Sequence, residues 1–120
     1  MNLFKSILIL LVACLHFYFV VLEMILWTTP KCLKTFGMSL EEAQKMQPFA
    51  ANQGLYNGFL VAGLIWSLIH SETNFAFQLS VFFLSCVIIA GLYGGYTISK
   101  KIIFIQALPG FVALLLVILL

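Results

Sequence analysis

Residues 3–27 read LFKSILILLVACLHFYFVVLEMILW, and past Lys5 their only acidic or basic side chains are His16 and Glu23. A helix rising about 1.5 Å per residue crosses a hydrocarbon core of about 30 Å in roughly 20 apolar residues. This run has the length of a membrane span. Three further stretches meet the same test: residues 48–69, 75–96 and 102–120. None alternates apolar and polar side chains with period two, so a transmembrane barrel is excluded and helices are expected. The reading is an all-α fold, a four-transmembrane-helix bundle forming one integral membrane domain over residues 1–120.

Composition agrees. Apolar residues make up 63% of the chain and charged residues 8%, against about 45–50% and about 25% in soluble domains. The mean hydropathy is +1.14. A soluble domain of this size could not hide so much apolar surface.

The first run begins like a signal peptide, with a lysine before an apolar stretch. It is too long, and no A-x-A-like site closes it. Leu11-Val12-Ala13-Cys14 resembles a lipoprotein processing site, but residues 15–22 stay apolar where a mature lipoprotein turns polar. The segment is expected to be retained.

Lysines set the expected orientation. Lys31, Lys34 and Lys45 fall in the first loop, Lys100 and Lys101 in the third, and Lys5 alone on the opposite side. Cytoplasmic loops collect positive charge. The first and third loops are therefore read as cytoplasmic, with both termini outside, in a bacterial inner membrane. Trp27 and Tyr96 then fall at the cytoplasmic interface, where amphipathic rings prefer to sit. Scattered lysines form no stripe that could follow phosphates, so no nucleic-acid partner is expected.

Within the first loop, Gly37 suits a turn, and Ser39-Leu40-Glu41-Glu42 fits a capping box. A short helix up to Gln47 is expected to lie along the membrane surface or in solvent. Pro48, a favourable first-turn residue, is expected to open the second span. Pro109-Gly110 is expected to kink the fourth.

Polar side chains inside spans are costly, so their positions carry information. His16 and Glu23 are seven positions apart, which puts both on one helix face about 10 Å apart in depth. The second span opens with Asn52, Gln53, Tyr56 and Asn57, where helical spacing stacks Asn52 over Tyr56 and Gln53 over Asn57. Gln106 lies a similar distance inside the fourth span, and Tyr93 and Tyr96 end the third beside Gly91, Gly94 and Gly95. These residues share the leaflet bordered by the first and third loops, and His16 alone reaches toward the midplane. Gly54, Gly58 and Ala62 form a small-xxx-small row that would let another helix approach. Each feature also has a plain structural reading. Glu23 would be a solvated carboxylate near the headgroups, His16 a core histidine on a backbone carbonyl, and the amides interhelical glue. His70 and Glu72 are assigned no function.

His16 with Phe19, Glu23 and Trp27, then Phe36-Gly37, and above all Ala51-Asn52-Gln53-Gly54-Leu55-Tyr56-Asn57-Gly58-Phe59 resemble a small family of bacterial and fungal membrane proteins of unknown function. The resemblance covers nearly the whole chain. Some of its members carry the label epimerase. The residues give that label no support, because the chain has no nucleotide-binding glycine loop.

Three functions are compatible with this pattern. The first is a pocket for a small lipophilic or amphipathic molecule entering from the inner leaflet. Glu23, His16, Asn52, Gln53, Tyr56, Asn57 and Gln106 would be its ligand-binding residues. Glu23 and His16 are the acid–base candidates for catalysis, but they stand too far apart for direct contact, so an enzyme is not favoured. The second is a structural or accessory membrane protein. The third is a proton-coupled small-molecule exporter, which at this size requires a homodimer; against it, Glu23 lies near one interface rather than at the midplane. No cofactor is implied. Cys14, Cys32 and Cys86 form no C-x-x-C pair, and His16 with Glu23 supply at most two ligands, so no metal site or disulfide framework is expected.

Overall fold

The side chain of Asn2 accepts from the Lys5 amide and starts the first helix, α1 (Leu3–Met24). A computed structural model describes all of Met1–Leu120 and contains helices and turns without strands. The first helix ends at Met24, three residues short of the expected Trp27. The amides of Ile25 and Leu26 both donate to Val21 O. The Thr29 hydroxyl donates to Leu26 O at 2.6 Å, and Pro30 biases the residue before it away from helical backbone.

Pro30 also occupies the first turn of α2 (Pro30–Phe36), where its missing N–H costs nothing. This helix lies where the sequence is read as loop. Gly37 closes it with φ 63° and ψ 42°, and the Met38 amide returns to Leu33 O. That is the left-handed helix stop that glycine favours.

The capping box is present. Ser39 accepts from the Glu42 amide at 3.1 Å, and Glu42 accepts from the Ser39 amide at 3.2 Å. The helix it starts corrects the expectation of a separate surface helix, because α3 runs unbroken from Leu40 to Ile69 with Pro48 inside it. Proline there removes the bond to the Gln44 carbonyl. Both residues are exposed, so the freed carbonyl is not buried unsatisfied. Gly54 meets the last residues of α1: a Cβ on it would strike Met24 and stand 3.2 Å from Glu23 Cβ. Residues 40–53 therefore extend past α1, and Trp27 Nε1 donates to Ala43 O at 2.9 Å to fold the 25–29 turn against them.

Glu72 caps α4 (Thr73–Thr97), accepting from the amides of Asn74 and Phe75 at 2.9 and 2.7 Å. The last segment begins with a π-helical turn, Ile103–Ala107, in which the Leu108 amide reaches back five residues to Ile103 O. It continues as α5 (Leu108–Leu119). The kink is expected at Pro109-Gly110; the irregularity that is present is a π-helical turn just before the proline. Such turns absorb an extra residue and re-aim the side chains around them.

Helices α1, α3, α4 and α5 form a closed antiparallel ring in that order, with α5 returning to α1. Ile9, Val12, Ala13, Leu64, Leu84, Val87, Ala113 and Val117 fill its core. Where α4 crosses the π turn, a Cβ on Gly91 would lie 2.6 Å from the Ala107 backbone nitrogen, so the close approach depends on glycine. Lys5 Nζ donates to Val117 O at 3.2 Å, which ties the start of α1 to the end of α5. The molecule measures 48 × 25 × 18 Å.

Only 23 of 120 residues are buried, and they include His16, Asn57, Ser67 and Ser80. Phe17, Phe59, Phe82, Ile89, Phe104 and Leu119 are exposed. A few polar side chains lie inside, and much of the large apolar surface lies outside. Two helices, Leu3–Met24 and Thr73–Thr97, are long and apolar enough to cross a bilayer, while Ile103–Leu119 is apolar but shorter.

Candidate functional site

Glu23 sits on the last turn of α1, on the face turned into the ring. Asn57 Nδ2 donates to its Oε1 at 2.6 Å. Gly54, one turn earlier on α3, allows the two helices close enough for this bond to form. The protein's one ion pair is Lys45–Glu41 at the surface, so Glu23 has no cationic partner within the chain.

Two turns deeper, His16 is fully buried. Its Nδ1 bonds Val12 O at 2.9 Å, and its Nε2 meets Gln106 Nε2 at 3.2 Å. Phe19 packs edge-on to the ring, with centroids 5.3 Å apart. Gln106 belongs to the π turn, so the irregular backbone of the fourth segment carries the side chain that meets α1.

The seven sequence candidates therefore divide. Glu23 with Asn57, and His16 with Gln106, form two bonded pairs on the inner face of α1. Asn52, Gln53 and Tyr56 are exposed, and Tyr56 stacks obliquely on Phe59 at 5.9 Å. Tyr93 and Tyr96 are exposed as well. The row Gly54, Gly58, Ala62 does not act as one seam. Gly54 meets α1, whereas a Cβ on Gly58 would touch nothing within 4 Å and Ala62 is exposed.

No buried side-chain nitrogen or oxygen lacks a partner. Oε2 of Glu23, Oδ1 of Asn57 and Oε1 of Gln106 make no hydrogen bond within the protein, so each is reached from outside. Two surface grooves are apolar and lie elsewhere. One, of about 380 Å³, runs between α1 and α5 along Leu11, Val12, Leu15, Leu108, Pro109 and Val112. The other, of about 240 Å³, lies between α4 and the fourth segment. No three His, Cys, Asp or Glu side chains gather in a metal-binding group.

Three contributors had no clear signal in the sequence. Cys32 is buried and its thiol points at Leu22 O, 3.6 Å away, at the end of α1. Burial pushes that thiol up, the Glu23 carboxylate nearby adds to the effect, and Lys31 opposes it. Ser67 and Ser80 return their hydroxyls to Leu64 O at 2.6 Å and Ala76 O at 2.8 Å. A serine within an apolar helix has this option through its own backbone, which is the only hint the sequence offers.

An all-α chain with polar pairs inside and large apolar side chains outside defines a class of helical bundle, without an activity. The chain belongs to the family described as "Protein of unknown function (DUF1304)", which matches residues 10–118. It is similar to "Uncharacterized protein YpaA" of Lactococcus lactis subsp. lactis (strain IL1403), with 34% identity over 108 residues, 88% of this chain and 89% of that one. No solved structure matches the chain.

Proposed function

We propose that this is a multi-pass membrane protein of the bacterial inner membrane whose four long helical segments cross the bilayer. In this reading the end carrying α2 lies in the cytoplasm and both termini lie outside. Its role is to bind a small lipophilic or amphipathic molecule that enters from the cytoplasmic leaflet. Glu23 and Asn57 would hold the polar part, His16 and Gln106 the deeper end, and Asn52, Gln53 and Tyr56 the approach.

The exposed apolar side chains support membrane residence, since soluble monomers rarely expose apolar patches beyond a few hundred Å². The five lysines of the first and third loops support the orientation. The observation that carries the binding role is Glu23 itself. It is a carboxylate on an apolar helix, bonded at 2.6 Å through one oxygen, without a cation, and with its second oxygen reachable. Intramembrane ionisable groups generally pair with one another or serve a ligand or ion.

The test uses the protein in lipid nanodiscs and a long-chain alkyl diazirine, with labelled peptides mapped after illumination. Labelling at residues 16–24, 53–60 and 103–107 that saturates and is competed by unlabelled probe supports a site. Even, non-saturable labelling around the circumference would show lipid contact alone. An accessory role is the second reading, favoured by the outward-facing Gly58 and Ala62. Crosslinking of one copy to another through that face would support it.

A further inference from the structure

The hydrogen bonds inside the ring fix which atoms are left for a ligand. Val12 O can only accept, so His16 Nδ1 must carry the proton in that 2.9 Å bond. In the neutral ring Nε2 is then an acceptor. Gln106 therefore has to donate through Nε2, at 3.2 Å, which leaves its Oε1 without a partner in the protein. In the other pair, the carboxylate only accepts, so Asn57 donates through Nδ2 at 2.6 Å and its Oδ1 is left over. Asn57 is only 6% exposed, yet that oxygen has no partner in the protein, and Oε2 of Glu23 has none either. The three uncommitted oxygens are acceptors, one of them on a carboxylate with no cation opposite it, while each amide nitrogen keeps one further N–H.

We propose that this site takes a protonated amine: an ammonium group with N–H donors on an apolar chain, its head against Glu23 Oε2 and Asn57 Oδ1. Any further donor on the ligand, about two helical turns deeper, would meet Gln106 Oε1. The inference rests on the binding role proposed above and adds its chemical class. An anionic head would be repelled by the unpaired Glu23 carboxylate. A quaternary ammonium brings charge without N–H donors. An alcohol brings a donor without charge, and hydrogen bonds to charged groups are stronger than those between neutral ones. Two sources share the ammonium chemistry, a free lipophilic amine and the headgroup of phosphatidylethanolamine.

Four diazirine probes of equal chain length distinguish the possibilities in phosphatidylcholine nanodiscs: a primary alkylamine, its trimethylammonium analogue, an alcohol and a carboxylate. The amine should label the α1–α3 site with about tenfold higher apparent affinity than the others. Glu23→Gln should remove that preference while leaving circular dichroism and monodispersity intact. If the variant fails to fold, the ranking of the four probes on the unaltered protein still decides. Saturable labelling led by the alcohol or the carboxylate would overturn the ammonium assignment and leave a binding site standing. Equal labelling by trimethylammonium and primary amine would overturn the requirement for N–H donors. Absence of saturable labelling by all four would overturn the binding role and this inference together. Phosphatidylethanolamine then identifies the source: if it competes with the amine the natural occupant is that headgroup, and if it does not, a free amine. Either result upholds the ammonium chemistry.

Discussion

Asn57 is the residue on which the inner pair depends, because its 2.6 Å bond is the only one Glu23 makes within the protein. Replacing it by Leu removes the donor and leaves a partly buried carboxylate alone. The expected loss is about 1–3 kcal/mol of stability, read from denaturant unfolding in micelles; a change within error would mean that water already satisfies Glu23. In the proposed bilayer setting, His16 and Gln106 should couple more weakly, by about 0.6 kcal/mol, the average for such bonds between membrane helices. A double-mutant cycle with His16→Phe and Gln106→Leu measures it. Cys32 gives a pH prediction. Its thiol is raised in the fold, so little thiolate exists at neutral pH. Alkylation should be slow in the folded protein, quicken only at a pH above that of an ordinary cysteine, and become rapid on unfolding. The stability from keeping that thiol protonated is complete below the unfolded thiol's range and is lost as pH rises through the folded value. Residue types in the sequence point to Glu23, His16, Asn57 and Gln106. The pairings are not legible there, because they depend on rotation and depth between helices far apart in the chain.

At the scale of elements, the glycines of α3 and α4 separate packing from pattern. Gly91→Ala pushes a methyl into the backbone of Ala107 and should cost about 1–3 kcal/mol. Gly58→Ala meets nothing and should be neutral, or stabilise by up to about 1 kcal/mol through helix propensity. Thermal melts of the two variants compare them directly, and equal effects would contradict the observed seams. The small-xxx-small row groups Gly54, Gly58 and Ala62 together, yet only Gly54 works as a contact, since a spacing of four fixes a helix face and not what lies opposite it. The join at Pro48 has a similar cause. Proline is tolerated in a first turn, and also deeper in a helix where the freed carbonyl is exposed, and sequence alone does not choose between these. The capping box is legible because both its partners lie within four residues.

For the whole molecule, the all-α character stems directly from the length and apolarity of the four runs. The connections on either side of α4 are short and force its neighbours to reverse, whereas α1 and α3 are joined through α2. Sidedness is a separate matter, and cysteine accessibility in intact cells tests it. In a variant lacking the native cysteines, Ser71→Cys should react with a membrane-impermeant maleimide applied outside, and Lys34→Cys only after permeabilisation. The opposite pattern would invert the orientation. Infrared difference spectroscopy shows whether Glu23 and Asn57 form the proposed binding site. The protein would be labelled with ¹³C-glutamate and reconstituted in nanodiscs, with Glu23→Gln subtracted to isolate the one carboxyl. The Glu23 band should shift saturably when a long-chain alkylamine is added. A Glu23 band that stays fixed while the amine saturates the bilayer would contradict the proposed site.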